Sequence, residues 1–286
     1  MLANRQLRAQ GRELAATYSW SPPPTPADYP LQDERALVAA VCEQEALSCQ
    51  YIQVTTADRA ALRARDPITE PIETLQFEAV VCRQATTQGI RVLLSGWGGD
   101  EVVTFNGDGL LAEWFVQGRW WSLARELHLR SHQQGASPLS TFKGHVLGPL
   151  LPTWVYARVG RRPVVERQAE LTGPQRAKLR QHADRMRTFV GVRRTQLARL
   201  DNGHITKRIE AWADYTASQG IEHRYPLLDR RLLDYCLGLP PALTLHQGWK
   251  RYLFRYTMRQ LLPAAVTWRI GKRDQAFFQT FTERKP

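Results

Sequence analysis

A glycine-rich loop that ends in two acidic residues is the part of the sequence whose residue types are best suited to chemistry. Residues 95–101 read S-G-W-G-G-D-E and follow the apolar run "IRVLL". Glycine lets backbone N–H groups approach phosphate oxygens without a clash from a Cβ atom. The carboxylate of Asp100 can hold Mg²⁺, which prefers oxygen ligands and commonly bridges to substrate phosphates. The loop therefore has the parts for metal–pyrophosphate chemistry.

An ordinary tight turn explains the same residues equally well. A helix that begins after such a turn favours acidic side chains in its first turn, because they interact well with the helix dipole. Ligands in open parallel sheets bind beyond the carboxyl ends of the strands, which is where this loop lies if the run before it is a strand. The surrounding elements therefore have to be considered.

Helical and strand patterns alternate over residues 1 to about 115. The stretches 33–46 and 73–88 have helical patterns, and the first of them begins with acidic residues. The runs "LAATYSWS", "CQYIQVTT" and "IRVLLSG" read as strands, and the last is of the buried type. This β-α-β-α-β order predicts a mostly parallel sheet with helices on both faces.

Strand patterns vanish from about residue 110 onward, where long amphipathic helical patterns take over. In this half, Trp120 and Trp121 are predicted to be core or helix-packing residues. Residues 246–263 read as one amphipathic helix that Pro263 ends. We therefore predict a nucleotide-binding α/β part over residues 1–115 and a helical part of the same domain over residues 116–286.

The composition limits the classes of protein to which the chain can belong. Hydrophobic residues make up 43% of its 286 residues, and no apolar run reaches the length of a membrane span. The first residues do not resemble a secretory signal, and the four cysteines lack C-x-x-C spacing, which predicts reduced thiols in a cytoplasmic protein. The net charge of +12 favours anionic partners. Because a nucleic-acid-binding signature is absent, we interpret the charge as a solvated basic helical face and expect no nucleic acid as a partner. Because no spanning run occurs, we expect no membrane as a partner.

Three stretches, in order, resemble motifs of the ATP-dependent synthetase domain of the asparagine synthetase family. The loop S-G-W-G-G-D-E resembles the second signature of that family, "GIEHRYPLLD" its G-x-E-x-R-x-P-[FL]-L-D segment, and "LPAAVTWRIGKRDQ" its closing L-P-x-x-[IV]-x-x-R-x-K region. The resemblance implies an α/β fold with an adenine-nucleotide α-hydrolase-like (Rossmann-like) parallel sheet, incomplete in this chain, followed by an all-helical half. It also favours the nucleotide-site interpretation of the loop.

Three stretches suggest the branch of the family. They resemble the lasso-peptide macrolactam cyclases, relatives of β-lactam synthetase, and are "TYSWSPPP", "DERALVAAVC" and the loop itself. In asparagine synthetases the third loop position is usually a glutamate near the amide-forming centre, whereas here it is Trp97. An indole cannot act as a base or bind ammonium as a carboxylate does. The resemblance therefore implies a bulkier nucleophile or a shaped peptide pocket rather than ammonia chemistry.

The resemblance implies that a substrate carboxylate is adenylated by ATP with Mg²⁺, and that an amine then attacks the acyl-adenylate. Asp100 would be the Mg²⁺ ligand and Lys272 the catalytic lysine, with Arg269 assisting. The nucleotide would lie against Tyr18, Ser19, Trp20, Ser95, Gly96, Gly98 and Gly99. A substrate pocket would include Trp97, Glu101, Glu70 and Glu222, while for Arg224 we favour a structural role in a Glu-x-Arg pair.

One family feature is missing from the sequence. The first signature, S-G-G-x-D-S, cradles pyrophosphate in the family, and neither it nor the strand that precedes it occurs in these residues, nor does the glutaminase-like domain. We expect an N-terminally truncated reading frame, because the remaining motifs are intact. The missing part would be encoded upstream or lie on another polypeptide. A degenerate homologue that folds differently and no longer catalyses is the competing explanation.

The function predicted from the sequence is a ligase similar to lasso-peptide macrolactam cyclases, acting on a ribosomal precursor peptide or another carboxylate substrate. Two alternatives stay open. One is a glutamine-hydrolysing asparagine synthase, and the other is a catalytically dead, truncated remnant that binds peptides through its helical half.

Overall fold

The computed structural model describes residues 1–20, 35–64, 72–135, 137–152, 155 and 187–269. The chain divides into two compact units. Unit 1 comprises residues 1–95, 206–226 and 257–286, and unit 2 comprises residues 96–205 and 227–256. The glycine-rich loop therefore starts at the last residue of a unit 1 segment and continues along the chain into unit 2.

Unit 1 contains short parallel strands and helices. Its first four helices are α1 (Leu2–Ala9), α2 (Arg35–Gln44), α3 (Thr56–Arg63) and α4 (Ile72–Thr87), and its strands are β1 (Thr17–Ser19), β2 (Cys49–Tyr51), β3 (Val92–Leu94) and β4 (Glu222–Arg224). Strand β1 pairs in parallel with β2, and β3 pairs in parallel with β4. In the described part of the chain these are two separate two-stranded sheets.

Helix α4 packs against both strand pairs. Its residues form one buried cluster with Ile52 and a second with Ile221, and Tyr18 of β1 and Leu93 of β3 pack against both clusters. The predicted alternation of strands and helices and the parallel pairing are confirmed. The prediction of one mostly parallel sheet is not, because the described strands of unit 1 form two separate pairs.

Unit 2 is mainly helical. It contains α5 (Leu110–Val116), α6 (Trp120–Gln134), α7 (Pro138–Phe142), a π-helix (Lys143–Leu147), α8 (Gly148–Leu150), α9 (Val192–Asp201), the start of α10 (His204–Ala217), α11 (Arg230–Gly238) and most of α12 (Tyr252–Met258). The short helix α13 (Ala264–Thr267) follows in unit 1. The largest buried cluster of unit 2 comprises Phe105, Leu110, Leu111, Trp114, Leu123, Val146, Val192 and Leu245.

The prediction of an all-helical second half is wrong in two places. Strand β4 pairs with β3, although its sequence, Glu-His-Arg, has no apolar alternation, because main-chain pairing to a neighbouring strand decides its conformation. The stretch 246–263 is not one helix. It begins in a two-stranded antiparallel hairpin, β5 (Leu245–His246) and β6 (Trp249–Lys250), and Gln247 and Gly248 between them have φ angles of 53° and 80°.

The prediction for the two adjacent tryptophans is also wrong. Trp120 and Trp121 stand at the start of α6 with 66% and 91% of their surface exposed, so neither belongs to the core. A helical pattern assigns residues to faces, but it does not tell which face the rest of the fold covers. All four cysteines are free, as their spacing predicts. Among the described helices, none has both the length and the apolar character needed to cross a membrane.

Candidate functional site

The glycine-rich loop follows directly from β3. The N–H of Ser95 donates to the carbonyl oxygen of Arg224 at 2.9 Å, which extends the pairing of β3 with β4 by one bond. Gly96 is exposed, and a Cβ atom built on it would have no atom within 4 Å. The start of the loop is therefore open, with room for a ligand beside the backbone of Gly96.

Two other glycines of the loop are explained by packing. A Cβ on Gly98, which has a φ of 89°, would lie 2.5 Å from Leu228 Cγ, and one on Gly99 would lie 2.7 Å from Leu227 Cδ1. Both leucines belong to the "YPLLD" stretch, so two of the three sequence motifs meet here. Gly98 and Gly99 are buried, and close approach of the leucines requires glycine at both positions.

Asp100 presents its carboxylate at the surface. Its Oδ1 accepts a hydrogen bond from Thr104 Oγ1 at 2.7 Å, and its Oδ2 lies 2.9 Å from Arg251 Nη2, while 65% of its side chain is exposed. An exposed carboxylate suits Mg²⁺, which proteins commonly hold through one or two carboxylates together with substrate phosphates. The described residues contain no group of three His, Cys, Asp or Glu side chains placed for a metal ion. Asp100 therefore fits a metal that is shared with a phosphate ligand and does not form a complete site alone.

Arg251 is a candidate residue of this site that the sequence does not predict. It stands 151 positions from Asp100, and no local pattern reveals such a contact. The hairpin formed by β5 and β6 places it, because the backbone turns at Gln247 and Gly248 and Arg251 itself has a φ of 58°. Non-glycine residues rarely adopt this left-handed conformation, and those that do are often found at functional sites.

A buried carboxylate holds this hairpin. Glu126 of α6 is 4% exposed, and its Oε1 accepts a hydrogen bond from the N–H of Gly248 at 2.5 Å. Burial raises the pKa of Glu126, while the N–H groups of the turn act in the opposite direction. Gly248 packs so closely on α6 that a Cβ there would lie 2.5 Å from Gln133 Oε1. Helix α6 therefore fixes the turn that precedes Arg251.

Trp97 and Glu101 meet at one residue of unit 2. The indole of Trp97 contacts the ring of His204 edge-on with centroids 5.5 Å apart, and Glu101 Oε1 lies 3.5 Å from His204 Nε2. Both predicted pocket residues thus contact the same histidine, His204. The Glu101 side chain is only 12% exposed, so its carboxylate faces His204 more than solvent.

The predicted nucleotide-binding residues of β1 lie in unit 1. The hydroxyl of Tyr18 donates to Gln88 Oε1 at 2.9 Å, and Trp20 Nε1 donates to Glu78 Oε2 at 3.0 Å. Trp20 also stacks on Phe77 with ring centroids 5.7 Å apart. Ser19 closes the pairing of β1 with β2. The side chains of Tyr18 and Trp20 are thus directed toward α4.

Trp20, which is 39% exposed, donates its hydrogen bond to a member of a buried polar pair in unit 1. His223 Nε2 lies 3.3 Å from Glu78 Oε1, and both side chains are almost fully buried. Burial raises the pKa of Glu78 from 4.5 to about 7 and lowers the pKa of His223 from 6.5 to about 4. An ion pair would shift both values the other way, so the two directions favour a neutral carboxyl beside a neutral imidazole.

The remaining predicted residues lie on β4, after α13 or outside the described part of the chain. Glu222 and Arg224 of β4 pair with each other at 2.8 Å at the surface, where both side chains are 58% exposed. Arg269 is half-buried and follows α13. Lys272 and Glu70 lie outside the described residues.

The predicted site residues are therefore distributed over both units. Unit 2 holds Gly96, Trp97, Gly98, Gly99, Asp100 and Glu101, and unit 1 holds Tyr18, Ser19, Trp20, Ser95, Glu222 and Arg269. Within unit 2 the structure adds Thr104, His204 and Arg251 to the loop. This set contains one open glycine, one exposed carboxylate and one guanidinium.

Most of the chain matches a known protein family. The family model described as asparagine synthase matches residues 2–281, a range that includes residues of both units. The search of curated proteins finds no match.

Proposed function

Since the chain belongs to the asparagine synthase family, a family of ATP-dependent amide-forming ligases, we propose that it forms an amide bond by adenylating a carboxylate. In the first step a carboxylate oxygen bonds to the α-phosphorus of ATP, and the bond from that phosphorus to the bridging oxygen breaks as pyrophosphate leaves. In the second step an amine nitrogen bonds to the acyl carbon, loses a proton, and AMP leaves.

The observation that carries this proposal is the exposed Asp100 carboxylate beside Arg251 and after the open Gly96. Asp100 would hold Mg²⁺, which when bound offsets the negative charge that develops on the departing pyrophosphate. Arg251 supplies a guanidinium 2.9 Å from the same carboxylate, where it can bind phosphate oxygens. Ser95 and Gly96 would border the nucleotide, and Lys272, assisted by Arg269, would act on the α-phosphate.

We further propose that the substrate is a ribosomal precursor peptide and that the product is a macrolactam. The support is Trp97, which gives the loop an aromatic side chain in contact with His204 where asparagine synthetases carry a glutamate. An aromatic wall suits a peptide nucleophile better than ammonia. Since S-G-G-x-D-S is absent from these residues, we propose that a further polypeptide segment supplies the second phosphate loop.

The test is Mg²⁺-dependent nucleotide binding to the full chain, measured by the anisotropy of a fluorescent ATP analogue. Asp100→Asn is expected to abolish the gain in affinity that Mg²⁺ gives, because the amide is a poor ligand for this ion. Asp234→Asn is the matched control, since Asp234 is 67% exposed and also lies close to an arginine, Arg230, at 3.6 Å. Unchanged Mg²⁺ dependence in Asp100→Asn would contradict the metal assignment.

Catalysis is tested by pyrophosphate release with ATP, Mg²⁺ and a precursor peptide, with and without an added fragment that carries S-G-G-x-D-S. Release that requires the fragment supports the proposed second loop. Peptide binding without any effect of ATP would favour the non-catalytic, peptide-binding alternative.

A further inference from the structure

An exposed apolar surface in unit 2 has no part in the proposed reaction. We call it the aromatic face and define it by Phe115, Val116, Trp120, Trp121, Leu139 and Leu147, all of which are exposed. Large contiguous apolar patches are rare on soluble monomers and usually mark an interaction surface. The aromatic face therefore needs a physical explanation.

Two contacts link the helices that carry the aromatic face. The ring of Phe115 in α5 contacts that of Phe142 in α7 edge-on, with centroids 5.9 Å apart. Trp120 Nε1 of α6 donates to the carbonyl oxygen of Phe115 at 3.4 Å. Three helices thus join at this surface, and the tryptophans project from it. A side chain that is 91% exposed, as Trp121 is, protrudes instead of lining a groove.

The exposed charges on α6 and on the segment that follows it are basic, while Glu113 of α5 is half-buried and accepts hydrogen bonds from Gln117 Nε2 and from the N–H of Val192. Between residues 115 and 152 the sequence contains a single acidic residue, Glu126, which is buried under the hairpin. Arg119, Arg125 and Lys143 in the same stretch are exposed. The surface therefore combines protruding aromatic side chains with positive charge.

We propose that the aromatic face binds peripherally to an anionic lipid surface. Tryptophan prefers the boundary between lipid headgroups and acyl chains, and arginine and lysine beside it attract anionic headgroups. The sequence predicts no membrane partner because it has no spanning segment, but peripheral binding needs only an apolar face flanked by basic residues. The proposal is independent of the proposed ligase activity.

Two other occupants fit this surface less well. A second copy of the chain would bring Arg119, Arg125 and Lys143 against the same three cations, and like charges across an interface oppose association. A peptide bound as a helix or strand uses a groove or a sheet edge, whereas the tryptophans of the aromatic face protrude. Binding to a flat lipid surface requires neither a groove nor a sheet edge on the protein.

Co-sedimentation of the full chain with lipid vesicles tests the proposal. The wild type is expected to bind vesicles of phosphatidylglycerol and phosphatidylcholine in equal parts, and to bind pure phosphatidylcholine weakly. Trp120→Ser with Trp121→Ser should lower the partition coefficient at least about tenfold. Arg119→Gln with Arg125→Gln should lower it about fivefold for each charge removed, and added salt should weaken wild-type binding.

The matched control replaces two exposed apolar residues on other helices of unit 2, Leu197 of α9 and Tyr235 of α11, by serine. This variant should bind as the wild type does, and circular dichroism should show the same melting curve for all variants. Failure of the wild type to bind anionic vesicles would overturn the proposal. So would equal binding by the tryptophan variant, or a tryptophan-dependent dimer or peptide complex in the absence of lipid binding.

Discussion

At the scale of single residues, the ion pair between Asp100 and Arg251 contributes little to stability. Both side chains are largely exposed, and exposed ion pairs contribute about 0–1 kcal/mol. We therefore predict that Arg251→Ala leaves the melting temperature nearly unchanged and lowers the affinity for the Mg²⁺ complex of a fluorescent ATP analogue roughly tenfold. The reason is the loss of one charge-assisted contact to phosphate oxygens. Anisotropy titration measures this affinity.

Arg231→Ala is the matched control for that prediction, because Arg231 is 92% exposed and also forms a pair with an aspartate, Asp229, at 2.9 Å. It should bind the nucleotide as the wild type does, whereas Arg251→Lys should keep part of the affinity because it keeps the charge. A large loss of stability in Arg251→Ala would show that the residue acts through folding.

The difference between Asp100 and Arg251 also shows what the sequence can reveal about the site. Asp100 is predicted because it stands in a local pattern of glycines and acids after an apolar strand. Arg251 stands in a basic helical pattern, and only the hairpin at Gln247 and Gly248 turns it toward the loop. Long-range contacts of this kind depend on tertiary structure, which one sequence does not display.

At the scale of elements, the glycine-rich loop contains an open glycine, Gly96, and a closely packed one, Gly98. Gly98→Ala would place a methyl group against Leu228 and force a φ of 89° on alanine. We predict that this change lowers the free energy of unfolding by roughly 2–4 kcal/mol, as strain and overpacking add. Gly96→Ala has free space around its Cβ position and should not change stability, but it should weaken nucleotide binding. Urea unfolding and anisotropy titration measure the two effects.

A double variant separates steric overlap from backbone strain in this loop. Leu228→Ala removes the atoms that the new methyl group would meet, so Gly98→Ala with Leu228→Ala should lose less stability than the sum of the two single changes. Additive losses would mean that the positive φ alone makes glycine necessary. Stable Gly98→Ala protein would contradict the packing between the loop and the "YPLLD" stretch.

The elements that the sequence predicts and those that it misses differ in how local their determinants are. Helices α2 and α4 and strand β3 follow from apolar patterns and are present in the structure. The prediction that β3 is of the buried type is wrong, because Val92 and Leu94 are 40% and 51% exposed. Strand β4 is three polar or charged residues long and exists through its pairing with β3. The exposure of Trp121 is missed for a related reason, since the sequence does not show which helix face stays uncovered.

At the scale of the whole molecule, the buried carboxyl of Glu78 makes the free energy of unfolding depend on pH. Burial raises its pKa from 4.5 to about 7, so the folded state binds this proton more tightly than the unfolded chain does. The resulting stability is fully present below pH 4.5 and is lost as the pH rises through 7. A rise of this size corresponds to roughly 3 kcal/mol. The pKa of His223 is lowered to about 4, so its contribution has the opposite sense and is lost as the pH falls from 6.5.

Glu78→Gln isolates the first of these contributions, because glutamine keeps an acceptor for Trp20 Nε1 and a donor toward His223 but does not ionise. Its free energy of unfolding relative to wild type should rise by roughly 3 kcal/mol between pH 4.5 and pH 8, as measured by urea unfolding. His223 contacts Glu78, so the same comparison is made in a His223→Gln background, which removes the contribution of the imidazole. Glu222→Gln, at an exposed carboxylate whose pKa is lowered by Arg224, should show an almost constant difference above pH 5. A constant difference for Glu78→Gln as well would contradict the raised pKa of Glu78.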